Sequence, residues 1–422
     1  MLNIKKLSFS IGGKTLFSEA SVNIPDGQKV GIVGRNGTGK TSLFRIIRGE
    51  WIADGGSIEL PRHLKIGGVE QEAPASDDSL IETVLKADKE RASLFEESET
   101  ATDPMRIAEI HIRLADIDAY SAESRASIIL AGLGFNNEAQ KRPCHEFSGG
   151  WRMRVALAAV LFSRPDVLLL DEPTNYLDLE GSMWLENFLS KYKSTVLIIS
   201  HDRALLNRAV SAILHLSHNK LNYFSGNYDR FDSERRMKLE QQISMKNKQD
   251  KQRQHIQSFV DRFRAKASKA RQAQSRIKQL EKMQPIVAIT ENAVAPFRFM
   301  SSKKLPSPLI TIDKGVVGYD GLAVLRNLNL RLDQEDRIAL LGANGEGKST
   351  LSKLIAGRLE LMYGELDRTN KLKVGFFAQH QLDELIEGEN PVQHLMRLKP
   401  GEPMEKIRAR LGMAGIGPDI IN

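Results

Sequence analysis

The chain opens on alternation and later turns to continuous apolar runs. Lys29-Val30-Gly31-Ile32-Val33 reads as a strand, as do Val167-Leu168-Leu169-Leu170 and Thr195-Val196-Leu197-Ile198-Ile199. The last two have no polar interruption, as expected of strands buried on both faces of a parallel sheet. Helical stretches lie between them, so the first 228 residues predict an α/β unit. From Glu82 to Arg125 the period becomes helical, with Ile107, Ile110, Leu114 and Ile117 on one face. Residues 229 to 284 contain no Gly and no Pro. There Ile256, Val260 and Phe263 form one helical stripe, and Ala270, Ala273, Ile277 and Leu280 form another. Two antiparallel helices with narrow seams are expected, turning near Ala265 to Ala270. After Pro285 the chain is irregular, with Pro296, Pro306 and Pro308, until a second unit begins near Leu309.

The second unit repeats the first. Gly34-Arg35-Asn36-Gly37-Thr38-Gly39-Lys40-Thr41 recurs 308 residues later as Gly342-Ala343-Asn344-Gly345-Glu346-Gly347-Lys348-Ser349. The same offset relates Gln71 to Gln379 and Val30 to Ile338. Both octets match G-x-x-x-x-G-K-[ST] between a segment read as a strand and an apolar helix, Leu43-Phe44-Arg45-Ile46-Ile47 in the first. Glycines let backbone N–H groups turn inward around phosphates, and the helix N-terminus adds positive potential. The ATP-binding candidates are Gly34, Asn36, Gly37, Gly39, Lys40, Thr41 and Ser42, then Gly342, Asn344, Gly345, Gly347, Lys348, Ser349 and Thr350. Lys40 and Lys348 would reach the β- and γ-phosphates, and Thr41 and Ser349 would ligate Mg²⁺. One such match could be a chance Gly-rich turn; two at a fixed offset are not.

In the first unit Val167–Leu170 ends in Asp171-Glu172. Carboxylates at the end of a buried strand are costly unless they serve a cation or substrate. Asp171 suits a Mg²⁺ shell and Glu172 suits the base that polarises an attacking water.

Composition narrows the setting. Of 422 residues, 41% are hydrophobic, enough for ordinary cores, and no run approaches the roughly 18 apolar residues of a membrane span. The N-terminus lacks the apolar run of a signal peptide. A soluble, cytoplasmic protein is expected. The single cysteine, Cys144, rules out an internal disulfide and any Cys-rich metal cluster. The net charge of +7 is uneven: residues 229–282 carry sixteen Lys and Arg against seven Asp and Glu. That local excess points to a polyanion, or to a solvated helical face. Glu82–Arg125 is the reverse, eleven acidic against six basic.

Further motifs carry a family resemblance. Phe147-Ser148-Gly149-Gly150-Trp151 resembles the ABC signature, and Leu170-Asp171-Glu172-Pro173-Thr174-Asn175-Tyr176-Leu177-Asp178 resembles Walker B with the D-loop. Ser200-His201-Asp202-Arg203 resembles the switch histidine, and Gln71 and Gln379 resemble Q-loop glutamines. The continuation Trp151-Arg152-Met153-Arg154 and the basic inter-domain segment are similar to the ABC-F subfamily, its bacterial YheS-like branch in particular. The resemblance spans nearly the whole chain. It implies two tandem P-loop nucleotide-binding domains of ABC type joined by a helical hairpin, the second incomplete. These are residues 1–228 (with an acidic arm at about 80–126), a linker at 229–308, and the N-terminal part of a second domain at 309–422.

The resemblance also implies roles. Glu172, His201 and Gln71 would be catalytic, Thr41, Gln71, Asp171 and Ser349 would hold Mg²⁺, and Ser148, Gly149 and Gly150 would hold the γ-phosphate bound to the opposite domain. Gln379 and Tyr319 would complete nucleotide binding, Tyr319 by stacking on adenine. The implied activity is ATP hydrolysis coupled to translation on the ribosome. Arg262, Arg264, Lys266, Lys269, Arg271 and Arg276 of the linker would lie beside rRNA and P-site tRNA. A monomer with intramolecular domain pairing is implied, without membrane or DNA partners. Alternatives are a ribosome-protection protein conferring antibiotic resistance, which shares every motif, and the ATPase subunit of a transporter, against which the basic hairpin argues. The acidic arm suits a basic ribosomal protein or is an ordinary helical face.

Four departures from the family pattern stand out: Tyr176 for His, Phe147 for Leu, Ile11 at the place equivalent to Tyr319, and the chain end. Ile11 packs but cannot stack, so the first site should hold adenine less specifically. The 308 offset places the second signature and Walker B past Asn422, so two incomplete sites with weak ATP turnover are expected.

Overall fold

The computed structural model describes residues 1–61, 64–69, 76–263, 274–275, 278, 305–378, 385–417 and 421. They fall into two compact units, Met1–Gln241 and Gln242–Asn422.

The first unit opens with a hairpin of β1 (Leu2–Ile11) and β2 (Lys14–Ile24). Its turn, Gly12-Gly13, has φ of 56° and 76°, the left-handed pair that a two-residue hairpin needs. Then come β3 (Lys29–Gly34), α1 (Lys40–Ile47), β4 (Gly55–Glu59) and β5 (Ile66–Gly68). Four helices follow: α2 (Leu80–Leu85), α3 (Lys89–Thr100), α4 (Pro104–Asp116) and α5 (Ala122–Gly132). The unit continues through α6 (Gly149–Ser163), β6 (Val167–Asp171), α7 (Leu179–Lys191), β7 (Thr195–Ile199), α8 (Arg203–Arg208), β8 (Ala212–Ser217) and β9 (Lys220–Ser225). It leaves through the long α9 (Tyr228–Phe263).

Six strands form one sheet in the order β5-β6-β7-β3-β8-β9, parallel except for β9. The antiparallel sheet β2-β1-β4 forms a second layer. Alternate residues explain the unbroken apolar runs. Leu168, Leu170, Val196 and Ile198 join a core with α2, α5, α6, α7 and α8. Val167, Leu169, Leu197 and Ile199 join the opposite core with α1 and the hairpin. Both faces are covered, so a polar residue at either phase would be buried.

Helices α3 and α4 form the acidic arm. Ile110 and Leu114 are buried in a small core of its own, with Leu94, Phe95 and Ile117 packed against them. Asp103 caps α4 by accepting from Met105 N at 3.1 Å, ahead of Pro104 in the first turn. Within the arm Arg113 pairs with Glu90, and Arg106 with Glu97 and Glu109; Lys65, from outside it, also pairs with Glu90.

The second unit repeats the opening of the first. Its β10 (Ile310–Tyr319), β11 (Leu322–Leu332), α10 (Lys348–Ile355) and β12 (Tyr363–Arg368) each begin 308 residues after β1, β2, α1 and β4. The strands pair in the order β11-β10-β12, and the hairpin turn is again left-handed, at Asp320 and Gly321. Next come α11 (Pro391–Leu398) and α12 (Met404–Met413), packed through Val392, Ile407 and Leu411. They mirror α2 and α5: each pair begins with a capping box, Ser79 with Glu82 and Asn390 with Gln393. Each ends near a left-handed glycine, Gly134 or Gly415. Only residues 399–403 separate α11 from α12, whereas 86–121 separate α2 from α5. The arm is therefore an insertion carried by the first unit.

One expectation fails. The segment around Ile338 is not a strand, although it matches Val30. Val30 and Ile32 are fully buried because β3 lies between β7 and β8, whereas Ile338 and Leu340 are 61% and 44% exposed. Among the described residues of the second unit no strand flanks this segment, and a parallel-sheet strand does not persist without neighbours.

Candidate nucleotide site

The site forms at the carboxyl ends of β3, β6 and β7, where parallel α/β sheets bind ligands. Registers Ile32↔Ile199 and Asp171↔Ile199 bring the three ends level. The phosphate loop leaves β3 and feeds α1. Gly37 and Gly39 have φ of 73° and 96°, and a Cβ on Gly39 would lie 3.1 Å from the Phe17 ring. Only glycine gives this loop both its turn and its clearance. Lys40 Nζ donates to the carbonyls of Gly34 (2.9 Å) and Arg35 (3.3 Å), curling over the loop where phosphate oxygens would sit. Burial lowers its pKa, an effect that the nearby Glu172 and Asp171 oppose.

Thr41 Oγ1 donates to Asp171 Oδ2 at 2.7 Å. The hydroxyl and carboxylate expected to hold Mg²⁺ from two distant segments thus already meet, and as hard oxygen donors they fit that ion. Beside them, Glu172 has φ 47° and ψ 53°, a left-handed conformation that costs a non-glycine residue about 1 kcal/mol or more. Its N–H donates to Ile199 O at 2.8 Å, which ties the strained turn to β7. The Glu172 carboxylate accepts from His201 N at 3.3 Å, and its Oε1 lies 3.3 Å from His201 Nε2. That second approach falls outside hydrogen-bond geometry, leaving Oε1 buried without a donor. Burial raises the Glu172 pKa, partly offset by His201. A carboxylate so placed is a stronger base than an exposed one.

Ser148 is the N-cap residue of α6, and Ser148, Gly149 and Gly150 are exposed. A Cβ on either glycine would meet nothing within 4 Å. The signature therefore presents a bare helix N-terminus. In the second unit Lys348 Nζ repeats the posture of Lys40, donating to Gly342 O (2.7 Å) and Ala343 O (2.6 Å). Gly345 and Gly347 are left-handed, Ser349 is exposed in the first turn of α10, and Thr350 is buried. Tyr319 ends β10 with its hydroxyl 3.5 Å from Thr350 Oγ1 and Lys353 Nζ 5.6 Å from its ring centre. Ile11 stands at the same hairpin position in the first unit, 47% exposed.

Gln71 and Gln379 lie outside the described residues, as do Arg264, Lys266, Lys269, Arg271 and Arg276. Arg262 falls in the last turn of α9, its side chain outside the description. The roles of two residues escaped the sequence reading. Lys14 Nζ donates to Gly37 O at 3.0 Å and braces the first phosphate loop. Arg154 is 1% exposed and joins α6 to the D-loop. A cation inside the apolar run Val155–Phe162 and its preceding turn was the available signal.

Comparison with known proteins decides the family. Two family models, both described as ABC transporter, match this chain, one over residues 17–175 and 325–421, the other over 214–299. "Probable ATP-binding protein YheS" of Escherichia coli K12 is 44% identical over 99% of this chain and 66% of its own length. "ATP-binding cassette sub-family F member 3" of Homo sapiens is 38% identical over 99% of this chain and 60% of its own. This chain belongs to the ABC-F family. As an ABC-F ATP-binding protein it has two tandem cassette regions of P-loop α/β type, and it spans about two thirds or less of those relatives' lengths. No helix among the described residues is long and apolar enough to cross a membrane.

Proposed function

We propose that this ABC-F protein hydrolyses ATP and acts on the ribosome as a translation factor, its basic linker lying beside P-site tRNA. The observation that carries the enzymatic part is the meeting of Lys40, Thr41, Asp171, Glu172 and His201 at one strand edge. Lys40 exchanges the loop carbonyls for phosphate oxygens. Glu172 takes a proton from water as its oxygen bonds to the γ-phosphorus and the bond to the β,γ-bridging oxygen breaks. His201, beside that carboxylate, faces the same phosphoryl group. Thr41 and Asp171 would hold Mg²⁺, which would supply positive charge to the phosphate oxygens.

The ribosomal part rests on the linker. Residues 240–245 of α9 are exposed around the full turn of the helix, including Ile243 at 51% and Met245 at 58%. The helix itself, residues 229–263, carries nine Lys and Arg against six Asp and Glu, and residues 264–282, most of them outside the described residues, carry seven against one. Lys and Arg on a stiff helix suit an RNA backbone and tolerate any sequence. The acidic arm, eleven acidic against six basic residues over Glu82–Arg125, suits a basic protein surface instead. Protection of ribosomes from antibiotics would use the same parts; a transporter role has no use for the basic helix. The test is co-sedimentation with ribosomes. Binding should need ATP and fall steeply with salt as counterions are released. Pelleting that ignores both ATP and salt would refute the reading.

A further inference from the structure

Arg154 is the largest side chain in the first unit with less than 2% exposure, and each of its nitrogens has an acceptor from a different place. Nε donates to Tyr176 O at 2.7 Å, Nη1 to Leu133 O at 2.8 Å, and Nη2 to Asp178 Oδ2 at 3.2 Å. The guanidinium also lies 4.3 Å from the ring centre of Trp151, one turn earlier on α6. Space is reserved for it: a Cβ on Gly134, φ 98°, would sit 2.8 Å from Nη1.

These partners belong to three segments. Leu133 closes α5. Trp151 and Arg154 lie in the first two turns of α6, whose N-cap is the signature Ser148. Tyr176 and Asp178 form the D-loop that follows Glu172, and Asp178 caps α7 by accepting from Gly181 N at 3.0 Å. A small cavity of about 30 Å³ lies between α6 and the Walker B turn, lined by Met153, Leu157, Asp171, Glu172, Pro173 and Arg154 itself. Packing beside this cavity is incomplete, and the guanidinium bonds bridge α6 to the D-loop next to it. A buried fork with three fixed acceptors resists rotation far better than apolar contact, and its charge is compensated by Asp178.

We propose that Arg154 is a positioning residue for ATP hydrolysis: it locks the turn bearing Glu172 to the helix bearing the signature, so that the base and the γ-phosphate clamp move as one piece. The proposal rests on the ATPase reading above. Misplacement of a catalytic group by about 1 Å costs about a hundredfold in rate. Substitution of the lock should therefore act on turnover rather than on nucleotide affinity.

Two variants test it. Arg154→Lys keeps the charge but cannot serve three acceptors at once. Asp178→Asn removes the charged partner while keeping an oxygen for the cap, and guards against a lysine variant that does not fold. Each is measured, in the full-length protein, for kcat and KM of phosphate release per folded molecule, for melting temperature, and for hydrogen exchange across residues 174–182. The expected result is kcat lower by about ten- to a hundredfold, KM within about twofold, and faster exchange in 174–182 alone. Faster exchange with kcat per folded molecule unchanged would overturn the proposal, making Arg154 a stabilising residue only. So would unchanged exchange and unchanged kcat in Asp178→Asn. Wild-type phosphate release no greater than that of Glu172→Gln would overturn the ATPase reading and the proposal with it, a distinct outcome because it appears before any change at Arg154.

Discussion

Glu172→Gln isolates the proton-accepting role of one atom pair. The amide keeps the size of the carboxylate, and its oxygen can still accept from His201 N, now at 3.3 Å. What it loses is basicity. In the native site that basicity is enhanced, because Glu172 is half-buried and Oε1 has no hydrogen-bond donor. A positioned general base contributes about 10²–10⁴ in rate, or about 3–5.5 kcal/mol of activation free energy. In the full-length protein the variant should therefore slow single-turnover phosphate release by about that factor. Lys40, Thr41 and Asp171 are untouched, so ATP should be retained. Rapid-quench phosphate release and filter retention of radiolabelled ATP measure the two halves separately. An unchanged rate, or retention as poor as that of Lys40→Ala, would refute the assignment.

Two further outcomes follow from the same geometry. Because burial raises the Glu172 pKa, the base is lost to protonation at a higher pH than an ordinary glutamate as pH falls, and His201, which favours the charged form, moderates that rise. His201→Gln should move the acid limb of the phosphate-release profile upward in pH; a limb that stays in place or moves down would contradict the pairing. Away from the site, a Cβ on Gly132 of α5 would lie 2.0 Å from the Trp184 indole. Gly132→Ala should cost about 1–3 kcal/mol through overpacking, read as a fall in melting temperature of about 2–4 °C per kcal/mol, and an unshifted melt would mean that Trp184 has room to swing.

Much of this was legible because the sequence is repetitive and periodic. The 308-residue offset located β10, β11, α10 and β12 through their equivalents, and glycines at the hairpins and phosphate loops marked where φ had to be positive. The apolar runs at Val167–Leu170 and Thr195–Ile199 announced a sheet covered on both faces. Convergence was harder to read. The Thr41–Asp171 bond joins residues 130 positions apart, and motif order alone implied it without fixing it. Arg154 was noted only as part of a motif, because its role depends on Leu133, Tyr176 and Asp178, none of which lies within its own helix. Ile338 misled for a related reason: a strand's pattern is local, but its pairing is not. The arm's helices were visible, yet that they form an insertion emerged only when α2–α5 could be set against α11–α12.

The central claim is that the basic linker carries this protein to the ribosome. Changing Arg262, Arg264, Lys266 and Lys269 together to Glu replaces four positive charges with four negative ones, without touching the phosphate loops. Ribosome pelleting in the presence of ATP, run beside nucleotide retention, tests the claim most directly. The account predicts that the variant stays in the supernatant while it retains ATP as well as the unaltered protein does, and that the salt dependence of the unaltered protein's binding is steep. Pelleting of the variant equal to that of the unaltered protein would contradict the account and leave the linker's charges as a solvated helical face.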